Sequence, residues 1–182
     1  MASRDGPVEV EAKLPLADPA AARRRLAELG AVPHGARTEE DLFLLHPARD
    51  LAATNEALRL RRTPHGLELT YKGPRSGQGV KARTELTVPV GADPEPLLAA
   101  LGFRPGPRVR KRREPFALDG LTVALDEVEG VGWFAEVEAL ATDAAAGARR
   151  VEALLAQLGW DHWPREPRPY VALVLAARAS SP

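Results

Sequence analysis

Residues 8–14 read VEVEAKL, and this stretch decides the fold class of the chain. Because the side chains of a β-strand point alternately to its two faces, Glu9, Glu11 and Lys13 share one face. The opposite face carries only apolar side chains. One such strand is usual in an antiparallel sheet with one face in water, so this stretch alone does not indicate a site.

The same alternation recurs in the strands predicted along the rest of the chain, for example where Leu58 and Leu60 lie opposite Arg59 and Arg61. The basic residues on these charged faces are Lys13, Arg59, Arg61, Lys72, Lys81, Arg83, Lys111 and Arg113. The acidic residues on them are Glu9, Glu11, Glu68, Glu85, Asp126, Glu136 and Glu138. An ordinary surface would mix in Ser, Thr, Asn and Gln, so this concentration of full charges indicates a shared face inside the protein.

About eight such strands can close into an antiparallel barrel with one face pointing inward. A lumen crowded with both signs of charge is costly unless the charges are paired or bound to ions. A polyanion and its metal ions would complete it, since Arg and Lys bind phosphate and paired carboxylates bind magnesium or manganese. We therefore expect an α+β fold, with a closed or nearly closed barrel around a charged lumen and helices on its outside.

Three helices are predicted from their start and stop signals. Each follows an aspartate that can cap the first turn and ends at a Leu-Gly pair. The aspartates are Asp18, Asp93 and Asp143, and the glycines are Gly30, Gly102 and Gly159.

Composition limits the classes of function that remain. The 182 residues suit one domain, which we expect to span 1–182 with a core at about 7–176. Lys plus Arg and Asp plus Glu number 25 each, which disfavours a broad basic surface for nucleic acid. The chain has no cysteine, so a metal site must use oxygen or imidazole ligands. No long uncharged run predicts a membrane span and no secretion signal is recognisable, so we expect a cytoplasmic location.

Seven short motifs occur in order along nearly the whole chain. They are ExExK at 9–13, LRxR at 58–61, LTYKGP at 69–74, RxE at 83–85, KxR at 111–113, LDxVxGxG at 125–132 and ExE at 136–138. Together they resemble the motifs of CYTH domains, also called triphosphate tunnel metalloenzymes. The LTYKGP segment, LGF at 101–103 and DEVEG at 126–130 are most similar to the class IV adenylyl cyclase branch.

The resemblance implies a role for each charged residue. Divalent ions, one or two Mg²⁺ or Mn²⁺, would be held by Glu9, Glu11, Glu136 and Glu138, with Asp126 assisting. The triphosphate would be held by Lys13, Arg59, Arg61, Lys72, Lys81, Arg83, Lys111 and Arg113. The residues expected to support catalysis are Glu9, Glu11, Lys13, Asp126, Glu136 and Glu138.

The resemblance leaves more than one activity open. A class IV cyclase would convert ATP to 3′,5′-cyclic AMP and pyrophosphate. A triphosphatase would instead hydrolyse inorganic triphosphate, thiamine triphosphate or a nucleoside triphosphate, and a non-catalytic module would only bind polyphosphate or nucleotide. The expected partner is thus a small triphosphate, with no nucleic acid and no membrane, and a homodimer is implied by the family alone.

Two positions depart from the family's usual pattern. The family often has Gln two residues before the aspartate of its second strand, where this chain has Glu39 before Asp41. A common Ser-Tyr pair near the C-terminus appears here as Pro169 and Tyr170, so Pro stands in place of Ser. We expect neither departure to touch a metal or phosphate position.

Overall fold

The computed structural model describes residues 8–74 and 81–180, except for the side chains at 81 and 82. The strands are β1 (Val8–Pro15), β2 (Val32–Pro33), β3 (Arg37–Leu45), β4 (Ala57–Thr63), β5 (Gly66–Lys72), β6 (Lys81–Val90), β7 (Arg104–Leu118), β8 (Leu121–Val128) and β9 (Gly132–Ala141). The helices are α1 (Pro19–Glu28), α2 (Glu95–Ala100), α3 (Ala144–Leu158) and α4 (Tyr170–Ala179). Within these ranges no helix has the length and hydrophobicity needed to cross a membrane.

Eight of the strands form a closed antiparallel barrel in the order β7-β3-β4-β5-β6-β1-β9-β8, and β8 pairs with β7 to close it. The 15 residues of β7 make closure possible, because its first part pairs with β3 and its last part pairs with β8. The short strand β2 adds to β7 beyond the ring. The predicted α+β fold with a closed barrel is confirmed.

The pairing register brings charged residues of neighbouring strands to the same level of the lumen. Glu11 of β1 lies directly opposite Glu138 of β9. Asp41 of β3 lies opposite Arg61 of β4. Side chains of directly opposed residues lie on the same face of a sheet, so the predicted charged faces combine into one interior surface.

The main apolar core lies outside the barrel wall, between β1, β8, β9 and the helices α1 and α3. Val10, Val137 and Leu155 are fully buried there. Gly147 permits the close approach of α3, since a Cβ at this position would lie 2.8 Å from Cγ2 of Val10. Burial of apolar surface on the outside of the wall stabilises the fold and leaves the inner face free for charge.

The three predicted helices are present, and two of them have the expected aspartate at the cap position. Asp18 accepts a hydrogen bond from the amide of Ala21 over 2.9 Å, and Asp143 accepts one from Ala145 over 2.8 Å. Asp93 also accepts, from the amide of Glu95, although here Pro94 is the residue at the cap position.

The fourth helix, α4, was not predicted. It follows Pro169, which offers no side-chain cap, and its sequence is apolar on most sides. Two of its residues, Leu173 and Val174, pack against Val109, Val128 and Phe134 at one end of the barrel. Tertiary packing therefore stabilises α4 in the absence of a side-chain cap at its start.

Candidate metal and triphosphate site

The barrel lumen contains a cavity of about 940 Å³. Most of its charged lining comes from the strands, while the segments 43–58 and 169–175 add apolar side chains that include Phe43, Leu51 and Val171. The cavity thus combines a highly charged part with a part that can contact an apolar or planar group.

The structure brings the predicted site residues together around this cavity. They are Glu9, Glu11, Lys13, Arg59, Arg61, Lys72, Arg83, Lys111, Arg113, Asp126, Glu136 and Glu138. Most are nearly inaccessible to solvent, and Asp126 is completely buried. Of the remaining predictions, the side chain of Lys81 lies outside the described residues, and Glu68 is exposed on β5. Burying this many charges requires that they be paired or bound to ions.

Three carboxylates form a group that we call the acid cluster: Glu9, Glu11 and Glu138. One oxygen from each lies within 4.8 Å of the others, so the three could hold one metal ion. Carboxylate oxygens at this spacing suit a hard divalent cation such as Mg²⁺ or Mn²⁺. All five metal assignments remain predictions, and two of the residues, Asp126 and Glu136, lie outside the cluster.

The charges around the acid cluster shift its pKa values in opposite directions. Burial, together with the negative charges of Glu136, Glu9 and Glu11, raises the pKa of Glu138 to about 8 although Arg113 opposes the shift. Burial acts in the same direction on Glu9, but Lys72 at 2.9 Å and Arg83 at 3.1 Å outweigh it and hold the pKa of Glu9 well below its usual value.

A second group, which we call the paired wall, consists of Glu39, Asp41 and Asp126 together with their cations Arg61, Lys111 and Arg113. Asp126 accepts hydrogen bonds from Nε of Arg113 at 2.8 Å and from Nζ of Lys111 at 2.8 Å. Asp41 binds Arg61 through two parallel hydrogen bonds of 2.7 and 2.8 Å. Such two-point pairs fix the guanidinium groups in place.

Glu39 contradicts the expectation that its position would not touch the site. Its side chain is 1% exposed, and its Oε2 lies 2.8 Å from Nη1 of Arg61 and 3.5 Å from Nζ of Lys111. Burial tends to raise the pKa of Glu39, but the charges of Lys111, Arg113, Arg61 and Arg37 lower it to about 2. Glu39 therefore stays ionised and holds two of the candidate phosphate ligands.

The second departure also lies at the cavity, since Pro169 lines it together with Tyr170, the tyrosine that the pair retains. The hydroxyl of Tyr170 donates a hydrogen bond to Oδ2 of Asp126 over 3.0 Å, and its ring centroid lies 4.2 Å from Nζ of Lys13. Burial, with the negative charges of Glu136 and Asp126, raises the pKa of Tyr170 well above its usual value. The hydroxyl therefore remains a donor at any physiological pH.

Sequence reasoning missed Asp41 and gave Glu85 no role. Oε2 of Glu85 lies 2.6 Å from Nζ of Lys72, and Asp41 lies 3.4 Å from Nη1 of Arg59. Both residues share strand parity with predicted site residues, Glu85 with Arg83 and Asp41 with Glu39. Strand parity had already placed Glu85 on a charged face, and following it through β3 would have found Asp41 as well.

Comparisons with known proteins agree with this geometry. The model of the CYTH domain matches residues 8–160. The adenylate cyclase CyaB of Aeromonas hydrophila is 31% identical over 175 residues, which cover 92% of this chain and 89% of that protein.

Solved structures show the same fold. A protein of Pyrococcus horikoshii is 34% identical, with a TM-score of 0.80 over 92% of this chain and 98% of that one. A Hippeastrum protein named as a candidate adenylyl cyclase, for which a dominant triphosphatase activity is described, has a TM-score of 0.66 at 20% identity, over 93% of this chain and 95% of that one. A charged tunnel built from seven ordered motifs, matched over most of its length, places this chain in the CYTH-domain family.

Proposed function

We propose that this CYTH-domain protein binds ATP in its barrel and, with a divalent metal ion, converts it to 3′,5′-cyclic AMP and pyrophosphate. Enzymes of the family act on triphosphates. The observation that carries the proposal is that an acid cluster suited to a metal ion shares one buried cavity with a ring of Lys and Arg side chains.

The charge balance of the lumen supports a metal-bound polyanion. Among the described residues the cations are Lys13, Arg59, Arg61, Lys72, Arg83, Lys111 and Arg113. The carboxylates are Glu9, Glu11, Glu39, Asp41, Glu85, Asp126, Glu136 and Glu138. These eight acids and seven bases nearly balance one another, so this set offers little net positive charge to a polyanion. A divalent ion would supply the additional positive charge that a triphosphate needs in order to bind.

Arg59 is a strong candidate for direct contact with phosphate. Its side chain is 12% exposed, and its Nε has no hydrogen-bond partner among the described residues. Its nearest carboxylate oxygens, on Asp41 and Glu85, are 3.4 and 4.0 Å away. A buried guanidinium nitrogen without a partner is costly, so a phosphate oxygen at this place would satisfy it.

The chain's own residues would position the substrate for phosphoryl chemistry. Lys72 and Arg83 contact Glu9 of the acid cluster, so they lie where phosphate oxygens could meet both a cation and the metal. A divalent ion held by the acid cluster would add positive charge beside the phosphate and acidify a coordinated hydroxyl. The remaining catalysis would come from positioning and charge stabilisation by these cations.

The apolar part of the cavity supports a nucleotide over bare triphosphate. Inorganic triphosphate has no group that would contact Phe43, Leu51 or Val171, whereas a nucleoside does. A triphosphatase activity is the second candidate, because the Hippeastrum protein with this fold is described with one. A non-catalytic binding module is the third.

Product analysis separates these candidates. The purified protein is incubated with ATP, inorganic triphosphate or thiamine triphosphate, each with Mg²⁺ or Mn²⁺, and products are separated by ion-exchange chromatography. Cyclic AMP with pyrophosphate supports the proposal, and orthophosphate released from a triphosphate supports the second candidate. Tight binding without any product under either ion would identify a binding module.

A further inference from the structure

Tyr170 is the first residue of α4 and contacts three charged side chains of the lumen at once. Its hydroxyl donates to Asp126 over 3.0 Å. Its ring centroid lies 4.2 Å from Nζ of Lys13 and 5.0 Å from Nζ of Lys111. These residues come from β1, β7 and β8, so the docking of α4 brings a single aromatic ring against three different strands.

The segment just before α4 also makes hydrogen bonds with Lys13. Nζ of Lys13 donates to the carbonyl oxygen of Arg168 over 3.0 Å, and the amide of Glu166 donates to the carbonyl oxygen of Lys13 over 2.8 Å. The same ammonium group lies 3.5 Å from Oε1 of Glu136. A carbonyl, a carboxylate and an aromatic face therefore fix a side chain whose four-carbon stem is otherwise flexible.

Tyr170 itself has a rigid support. The ring of Phe134 packs against it edge to face, with 5.3 Å between the centroids. Leu173 and Val174, one turn further along α4, are 5% and 4% exposed. The ring thus holds its position through packing on the barrel end, independently of the charges that it contacts.

We propose that Tyr170 is a positioning residue that fixes Lys13 and Lys111 inside the lumen, so that the docking of α4 sets the arrangement of these two cations. An aromatic face attracts an ammonium group without neutralising its charge. The lysines are held in place and still keep their charge for a polyanion. The inference rests on the proposed function only where it takes these lysines as triphosphate ligands.

Lysine reactivity tests the positioning without any turnover. The ligand-free, full-length protein is treated with limiting acetic anhydride, and acetylation at each lysine is followed by mass spectrometry. With Tyr170→Leu, we expect Lys13 and Lys111 to react about tenfold faster relative to Lys72, because the cation–π contacts are lost. Tyr170→Phe keeps the ring and should change these rates much less.

Tyr71 provides a matched control, since its hydroxyl also donates to a carboxylate, that of Glu56, and its ring contacts neither lysine. Tyr71→Leu should leave the relative rates at Lys13 and Lys111 unchanged. Unchanged rates at both lysines in Tyr170→Leu would overturn the proposal. An equal increase at Lys72 would also overturn it, because the whole barrel would then have loosened.

A second variant keeps the test decisive if Tyr170→Leu does not fold. Leu173→Ala keeps the tyrosine but weakens the packing that holds α4 and its ring against the barrel, so it should raise acetylation at the same two lysines. No change at either lysine in Leu173→Ala would contradict the coupling of α4 to the site.

Kinetics then connect the positioning to function. Tyr170→Leu should lower kcat/KM for the triphosphate substrate, with Tyr170→Phe close to the original protein, and equal kcat/KM in all three proteins would refute a role in the reaction. If the unmodified protein turns over no triphosphate, the proposed function fails, and the labelling experiment still decides whether Tyr170 holds the lysines.

Discussion

The acid cluster and the paired wall both contain carboxylates that face the same lumen. Their surroundings shift the pKa values of two of these carboxylates in opposite directions. Glu138 faces other carboxylates, and its pKa is raised to about 8. Glu39 faces arginine and lysine, and its pKa is lowered to about 2. The paired wall is therefore neutralised by the protein's own cations, whereas Glu138 of the acid cluster has a raised pKa even though Arg113 lies 3.5 Å away. The difference indicates which carboxylates hold the barrel together and which one would gain most from an external cation.

The largest expected effect is on stability, at Asp126. Asp126→Asn leaves Arg113 and Lys111 buried without their shared carboxylate, which should lower the free energy of unfolding by about 3–5 kcal/mol. Glu138→Gln is the matched control from the acid cluster. Because Glu138 is mostly protonated at pH 7, its neutral substitute should leave stability unchanged or raise it. Urea unfolding of both metal-free variants measures the contrast, and equal losses would remove the distinction between the two groups.

The next effect is on activity, at Glu11. Glu11→Gln removes one negative oxygen from the acid cluster, and turnover of the triphosphate substrate should fall by about a hundredfold or more. Glu28→Gln, on the exposed side of α1, is the control and should turn over normally. Initial rates are measured over a range of magnesium concentrations. Full activity of Glu11→Gln at limiting magnesium would show that the cluster is not the metal site.

A smaller effect is expected on binding, at Arg59. Arg59→Ala should weaken binding of the triphosphate by roughly 1.5–3 kcal/mol, which is the range for a hydrogen bond to a charged group. Arg62 is exposed and three positions along the same strand, on its outer face, so Arg62→Ala is a matched control. Calorimetric titration with a slowly hydrolysed triphosphate analogue gives both affinities. Equal affinities in the two variants would exclude Arg59 from the phosphate site.

The smallest effect is the pH dependence of stability, which should have opposite signs in the two groups. Glu39 has a lowered pKa, so its contribution is present above pH 4.5 and is lost as the pH falls towards about 2. Glu138 has a raised pKa, so between pH 4.5 and about 8 the unfolded state ionises first, and stability decreases as the pH rises.

Each slope should reach at most about 1.4 kcal/mol per pH unit, the value for a single proton. Unfolding of the metal-free protein is compared with Glu39→Gln in the acidic range and with Glu138→Gln in the neutral range. Slopes of the same sign in both ranges would contradict the assigned environments.

The sequence predicted the barrel and most of its lumen because strand alternation is a local property. Glu9, Glu11 and Lys13 reveal their shared face within five residues. Glu39 and Asp41 were not recognised as lumen residues because Glu40, between them, is also charged and masks the alternation. The structure places Glu40 on the outer face, where it pairs with Arg110.

Features that depend on distant contacts could not be predicted in this way. The pairing of Asp126 with Arg113 depends on the register of β7 and β8. The contact between Tyr170 and Lys13 joins residues that are far apart in the sequence. The helix α4 that carries Tyr170 has no side-chain cap from which its start could be predicted. The single-domain boundaries and the homodimer remain predictions.

The place of β1 in the barrel has a consequence for synthesis. This strand pairs with β6 on one side and β9 on the other, so it leaves the ribosome long before either neighbour exists. Closing such long loops costs conformational entropy, so pairing between these distant strands forms slowly. While it is unpaired, a strand with Glu9, Glu11 and Lys13 on one face stays better solvated than an apolar strand would. The charges that later surround the substrate thus also help the nascent chain avoid aggregation while it waits for its partners.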